Sequence, residues 1–338
     1  MRLSSKPTAP TAAYADWLHP ALLSGTPERV ANRDGYGQGV LALGKDDERV
    51  LVLTADVAES TRVLAFKQQF PKRFIECGVA EQNMMGIAAG LALSGHIPFV
   101  SSYATFSPGR SWDQLRVSAC YSNANVKVIG AHTGISVGPD GATHQALEDI
   151  AMTRVLPGLI VIAPCDVHEA RKATIAAAKH TGPVYIRLAR EKTPVITTEN
   201  APFEIGRAYV VRPGTDVTIV ASGPLLAEAL FAAEALSKKQ KIEAEVINCP
   251  TIKPLDEDTL LKSFKKTGCA VTVEEHQITG GLFGAVAELT SRKFPIPLEP
   301  VGMPNSFGES GEPAELLAAY GMDSPAIQTA IKQLLRRI

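Results

Sequence analysis

Paired cysteines, long apolar runs and blocks of like charge are all missing from this sequence, and each absence removes a class of protein. The five cysteines, Cys77, Cys120, Cys165, Cys249 and Cys269, are an odd, scattered set with no C-x-x-C spacing. That pattern argues against a disulfide framework or a zinc site and leaves them as small core filler. The longest apolar stretch, around Ile87 to Leu93, is far too short to span a bilayer. Met1 to Pro20 carries two early basic residues but no continuous apolar segment, so no signal peptide is expected and the cytoplasm is the default location. No Lys/Arg run resembles a nucleic-acid patch, and a net charge of −1 gives no reason to expect a polyanion partner.

What remains is an ordinary globular balance. The 338 residues are 45% hydrophobic and 20% charged, enough for two domains with real cores. Residues 1–27 read as an extension rich in Pro, Ser, Thr and Ala, with one short helix near Ala12–Leu18. From Glu28 to Leu43 the pattern is helical. Strand patterns follow at Arg49–Thr54, Phe74–Cys77, Ile97–Ser101, Val126–Ala131, Leu159–Ala163 and Val184–Leu188. Helix patterns alternate with them at Glu81–Leu93, Ser111–Tyr121, Ala146–Arg154 and Val167–His180, the last with Asp166 as its N-cap. Such alternation implies a parallel sheet covered on both faces, with ligands collecting at the carboxyl ends of the strands. Asp56, Glu81, Tyr103 with Phe106, His132 and Arg190 each follow a different strand pattern. Five such positions on one rim point to a site.

Residues 196–204 read as a linker. A second α/β unit, 205–338, has strand patterns at Val217–Ala221, Glu245–Asn248, Ala270–Glu274 and Pro297–Val301. Its helix patterns are Leu225–Ser237, Asp256–Lys265, Leu282–Arg292, Pro313–Tyr320 and Pro325–Arg336. Gly280-Gly281 reads as a tight turn before a helix rather than an anion site. The expected fold is therefore two successive α/β domains with largely parallel sheets.

Glu81 stands out. It opens Glu81–Leu93, a run apolar on nearly every side, and such helices are normally buried. Gly86 and Gly90 lie one turn apart and would let another backbone approach. A carboxyl group at the start of a buried helix is poorly solvated, which favours its protonated form. The competing reading is a first-turn acid favoured by the helix dipole.

Three stretches in order, Gly78-Val79-Ala80-Glu81-Gln82-Asn83-Met84, Ser102-Tyr103-Ala104-Thr105-Phe106 and Gly138-Pro139-Asp140-Gly141-Ala142-Thr143-His144-Gln145, resemble the pyrimidine-binding domain of transketolases. The resemblance continues through Thr251-Ile252-Lys253-Pro254-Leu255-Asp256 to the C-terminus. It implies a pyrimidine-binding domain over residues 28–195 and a transketolase C-terminal domain over 205–338, the latter mainly supporting dimer contacts. The cofactor implied is thiamine diphosphate. By residue-wise likeness, Glu81 would bond the pyrimidine ring nitrogen, Tyr103 and Phe106 would pack on the ring, and Asp56 would lie near cofactor and dimer interface. His144 would sit beside the cofactor's amino group. His132 and Asp140 would contact substrate hydroxyls and phosphate, and Arg33, Ser60 and Arg190 would bind the phosphate of a sugar phosphate. Tyr103 departs from the phenylalanine of many relatives. Taken singly, Arg33 and Arg190 also read as surface charges and His132 as a satisfied strand-end histidine.

The implied reaction is two-carbon ketol transfer from a ketose phosphate to an aldose phosphate. The sequence carries no Gly-Asp-Gly followed by Asn, the family signature for diphosphate and metal; Pro139-Asp140-Gly141 lacks the first glycine. The resemblance therefore implies a split enzyme. A separate diphosphate-binding subunit would hold Mg2+ or Ca2+, in a heterotetramer of two plus two chains, with this chain self-associating through both domains. Alternatives are the beta subunit of a 2-oxoacid dehydrogenase, a deoxyxylulose-phosphate-synthase-like enzyme, and a non-catalytic scaffold. The Gly138–Gln145 loop and paired arginines weigh against the first, and retention of Glu81 against the last.

Overall fold

The computed structural model describes residues 16–338, so most of the expected N-terminal extension, including the start of its helix at 12–18, lies outside the described residues. In chain order the strands are β1 (Arg29–Ala31), β2 (Val50–Thr54), β3 (Phe74–Glu76), β4 (Ile97–Tyr103), β5 (Lys127–Ala131), β6 (Ile160–Ile162) and β7 (Val184–Arg187). Then come β8 (Lys192–Pro194), β9 (Tyr209–Arg212), β10 (Val217–Ala221), β11 (Ala244–Asn248), β12 (Thr251–Lys253), β13 (Ala270–Gln277) and β14 (Leu298–Met303). The first main sheet has the order β12-β6-β7-β5-β4-β2-β3 and the second β14-β13-β10-β11-β9. Parallel pairing dominates both, and the antiparallel exceptions are the edge strands β12 and β9. The expected α/β architecture is the one observed.

Parallel strands buried on both faces need near-continuous apolar sequence. Val50–Thr54 and Lys127–Ala131 are buried at every position. Lys127 is the exception in kind: its ammonium donates to Asn125 Oδ1 and to the carbonyls of His180 and Gly182 at 2.6–2.8 Å. These three oxygens take the place of water, and burial pushes the amine down to about 7.

Several boundaries differ from expectation. The helix expected from Glu28 begins at Asn32, because Arg29–Ala31 pairs with Lys192–Pro194 as a two-stranded ribbon. A Cβ at position 35 would lie 2.0 Å from the Val167 carbonyl oxygen, so glycine there lets the Asn32–Asp46 and Val167–Lys179 helices approach closely. The stretch Leu115–Tyr121 is wound as a π-helix after a short α turn at Trp112–Gln114. The helix expected from Ala146 starts only at Asp149.

Residues 196–204, read as a linker, are packed against the first unit. The Ile196 and Thr197 amides donate to Asp166 Oδ2, whose Oδ1 caps the Val167 helix by accepting from Glu169 N–H. The Thr251–Lys253 strand comes from the second unit yet extends the first sheet. One apolar cluster continues from the second sheet into Leu22, Ile135, Leu147 and Ile196. The two sheets are thus stitched together. Gly280-Gly281 is a tight turn, as expected, and Glu274 fills the helix start behind it, accepting from Leu282 N–H at 2.6 Å and Phe283 N–H at 2.8 Å.

The Glu81–Leu93 helix is not buried all round. Glu81, Met84, Met85, Ala88 and Ala89 face the core. Gln82, Gly86, Gly90 and Leu93 are exposed, and among the described residues nothing lies within 4 Å of a Cβ built on Gly86 or Gly90. No backbone among the described residues approaches this glycine face.

Candidate functional site

The parallel register sets the rim. Tyr103 ends β4 directly opposite Ala131 of β5, so His132 comes one residue beyond it. Arg187 of β7 pairs with Gly130, and Arg190 follows three residues later. Glu76 ends level with Thr54 of β2, which places Asp56 and Glu81 along the same edge.

Four rings gather there. The His132 and Tyr103 rings stack with centroids 3.9 Å apart, and Tyr103 and Phe106 stack at 5.8 Å. His144 presents itself edge-on to both aromatics, at 6.1 and 5.4 Å. It also shares a hydrogen bond of 2.9 Å with the Thr143 hydroxyl. His132 is 2% exposed and adopts φ +56°, a left-handed conformation that a bulky side chain rarely takes. Its Nε2 lies 3.3 Å from Arg33 Nη1, which makes Nε2 the acceptor and leaves the proton on Nδ1. Burial, with Arg33 and Arg190 nearby, pushes the imidazole down to about 3, so this histidine is neutral.

Arg33 also donates to the Ser60 carbonyl at 2.7 Å. Burial and the neighbouring Arg62 lower its pKa. Arg190 donates to the Val137 carbonyl at 2.7 Å and lies 3.5 Å from Asp140. Arg33, Ser60, Tyr103, Phe106, His132 and His144 are therefore linked by contacts, with Asp140 and Arg190 adjoining. Glu81 joins through Arg110, whose guanidinium lies 3.3 Å from Glu81 Oε2 and 4.2 Å from the Phe106 ring centre. The poor solvation expected of Glu81 is present: it is 3% exposed. Asp56 is the outlier. It shares the edge and is exposed, its N–H bonds Glu76, and no hydrogen bond or ion pair joins its carboxylate to the cluster among the described residues.

Several buried polar atoms on this rim have no partner among the described residues: Thr54 Oγ1, Ser102 Oγ, Thr105 Oγ1, His132 Nδ1 and Arg33 Nε. Buried donors and acceptors left unpaired are costly, so their clustering marks a place shaped for a polar ligand. No group of three or more His, Cys, Asp or Glu side chains arranged to hold a metal ion occurs among the described residues.

The loop that carries Asp140 and His144 is held from the second unit, a contribution that sequence reading missed. The Ser136 amide donates to Glu275 Oε1 at 2.6 Å, and Gln145 Nε2 donates to the Ile135 and Glu309 carbonyls. Arg187, paired with Asp149 at 2.9 Å, also donates to the Glu275 carbonyl. Burial pushes the Glu275 carboxyl up, partly offset by Ser136 and Arg187. The Ser136–Glu275 and Gln145–Glu309 contacts span 139 and 164 residues of sequence and leave no local signature. Arg110 was also missed; its i, i+4 spacing from Phe106 was the available signal.

Residues 28–195 match the family described as transketolase, pyrimidine binding domain, and residues 206–327 match transketolase, C-terminal domain. The chain is 44% identical over 308 residues to a putative transketolase C-terminal section from Methanocaldococcus jannaschii, covering 90% of this chain and 96% of that protein. This chain belongs to the transketolase family. Among its transketolase relatives, a 6-deoxy-6-sulfo-D-fructose transketolase subunit from a Clostridium species is 42% identical over 305 residues, covering 90% of this chain and 94% of that protein. A solved structure described as a split gene transketolase, inactive beta4 tetramer, is 41% identical with a TM-score of 0.84 and covers 91% of this chain and 99% of that one. The transketolase assignment accords with the fold and carries the general function: this is a transketolase-type chain. No helix among the described residues is long and apolar enough to cross a membrane.

Proposed function

We propose that this chain is the C-terminal subunit of a split, thiamine-diphosphate-dependent transketolase. In this reading it transfers a two-carbon ketol unit between sugar phosphates only when joined to a diphosphate-binding subunit. The observation that carries it is a carboxylate, Glu81, 3% exposed and set beside an aromatic and histidine cluster on one strand edge. The unpartnered polar atoms around that cluster fit a polar, ring-shaped cofactor with a hydroxylated substrate. Relatives of matching length described as a C-terminal section and as a subunit support the division between chains.

Thiamine diphosphate, when bound, supplies the nucleophile and electron sink needed to break a carbon–carbon bond next to a ketone. The residues of this chain bind and orient. Glu81 would bond the pyrimidine ring nitrogen and share its proton. Phe106 and Tyr103 offer flat faces, worth about 0.5–1.5 kcal/mol beyond area burial. Neutral His132 donates through Nδ1–H to a substrate hydroxyl, and His144, half-buried at the rim, moves a proton at the reacting end. Arg33 and Arg190 hold the phosphate in bidentate forks, with Ser60 and Asp140 fixing its approach. Asp56 takes part from the edge, at the contact with a neighbouring subunit.

The diphosphate and its Mg2+ or Ca2+ belong to the partner subunit, and two copies of each chain assemble about a twofold axis. The open glycine face of the Glu81–Leu93 helix is where this chain meets its own copy. We assign residues 28–195 to the pyrimidine-binding domain, 196–204 to the connection and 205–338 to the C-terminal domain, with the assembly in the cytoplasm. Mixing the purified chain with its partner and assaying ketol transfer tests the reading. Turnover by the mixture alone is expected; turnover by the isolated chain contradicts the split.

A further inference from the structure

The carboxylate at the centre of the site already has a partner. Arg110 Nη1 stands 3.3 Å from Glu81 Oε2, and its guanidinium carbon stands 4.2 Å from the centre of the Phe106 ring. A single turn makes this geometry. The Arg110 amide donates to the Phe106 carbonyl at 2.9 Å, so the two side chains rise from one face. The acid is 3% exposed and the arginine side chain 51% exposed. Glu81 is thus fixed at depth, and the cation reaches it from the surface. A cavity of about 440 Å3 lined by Val79, Ala80, Glu81, Gln82, Asn83 and Arg110 opens beside the pair.

A guanidinium is flat, carries N–H donors in one plane and stacks on aromatic faces. Laid on Phe106 and bonded to Glu81, it makes the same two contacts that an aminopyrimidine requires. Two groups that reach for the same Glu81 oxygen and the same face of Phe106 compete for them. We propose that Arg110 stands in for the pyrimidine ring: it holds Glu81 and the Phe106 face until the cofactor enters, and the ring must displace it. The inference rests on reading Glu81 as the pyrimidine-binding acid. Arg110 is then a competitor that sets cofactor affinity, not a cofactor ligand. Its presence also has a structural use, since a buried carboxylate without a partner is strongly unfavourable. Because Arg110 is half in water, the displaced guanidinium swings outward into solvent and is rehydrated.

The test is calorimetric titration of thiamine diphosphate into the full chain reconstituted with its diphosphate-binding partner. Parent, Arg110→Ala, Arg110→Gln, Arg110→Lys and Glu81→Gln complexes are compared. Loss of one half-exposed ion pair and one cation–π contact predicts dissociation constants about 5–20-fold lower for Arg110→Ala and Arg110→Gln. Arg110→Lys keeps the charge without the plane and falls between them and the parent. A residue that merely supported the pocket, or that gripped the cofactor, moves affinity the other way. Unchanged or weaker binding in both the Ala and Gln complexes overturns the proposal. Glu81→Gln separates the two levels. If it binds the cofactor as the parent does, or if the parent complex binds none, the reading of Glu81 fails and the proposal falls with it. If Glu81→Gln weakens binding and the Arg110 variants do not tighten it, only the role of Arg110 is refuted.

Discussion

Substituting Gly134 by alanine tests the brace between the second unit and the loop that carries Asp140 and His144. Gly134 sits at φ +82°. A Cβ there would lie 2.2 Å from Glu275 Oε1 and 2.3 Å from its Cδ. Glu275 cannot yield easily, because it is 4% exposed and its Oε1 accepts the Ser136 amide at 2.6 Å. Two costs follow. With ψ 175°, this is backbone that essentially only glycine adopts, and a Cβ there costs about 1–3 kcal/mol. Breaking a charged, buried hydrogen bond costs about 1.5–3 kcal/mol. The two share one site and are not strictly additive, so the expected loss is about 3–5 kcal/mol. Gly158→Ala is the control for positive φ without the clash, with φ +75° and nothing among the described residues within 4 Å of its Cβ. It should lose only the backbone share, about 1–2 kcal/mol. Urea unfolding of the two variants, followed by circular dichroism, reads the difference. Equal midpoints refute the brace.

Other perturbations probe separate links. His132 is held down near 3 by burial, with Arg33 and Arg190 adding, against about 6.5 when unfolded. Its contribution to stability is therefore complete above about 6.5 and is lost as pH falls toward 3; His132→Gln should flatten that part of the stability–pH curve, and an unchanged curve contradicts the burial argument. Arg33→Lys or Arg190→Lys should raise KM for a sugar phosphate roughly 10–100-fold while sparing the unphosphorylated sugar, because a fork-like charged contact is lost. Steady-state kinetics with an equal penalty on both sugars would sink the phosphate role. Gly90→Arg should leave the fold intact, since its Cβ meets nothing among the described residues within 4 Å, and should abolish self-association in analytical ultracentrifugation. An unaltered oligomer would move the self-contact elsewhere.

The sequence made most of the architecture legible, because alternating apolar strand runs and helix patterns carry their period locally. The rim was legible for the same reason: Tyr103, His132 and Arg190 each follow a recognisable strand. What escaped depends on distant partners. Arg29–Ala31 and Lys192–Pro194 form a ribbon only because they meet each other, and neither has an apolar strand pattern of its own. Thr251–Lys253 crosses to the other unit's sheet. The π winding of Leu115–Tyr121 has no periodic signal that separates it from an ordinary helix. Composition suggested that the Glu81–Leu93 helix is buried on all sides, but the described residues leave its glycine face uncovered. The residues that complete the site, Glu275 and Arg110, act through contacts that only the folded chain creates.

The most direct measurement is turnover of the reconstituted complex carrying Glu81→Gln, a change that keeps size and removes the acidic group. Proton sharing of this kind is worth about 100-fold to 10,000-fold, so kcat should fall by at least about 100-fold with the complex still assembled. A kcat within about twofold of the parent would contradict the account.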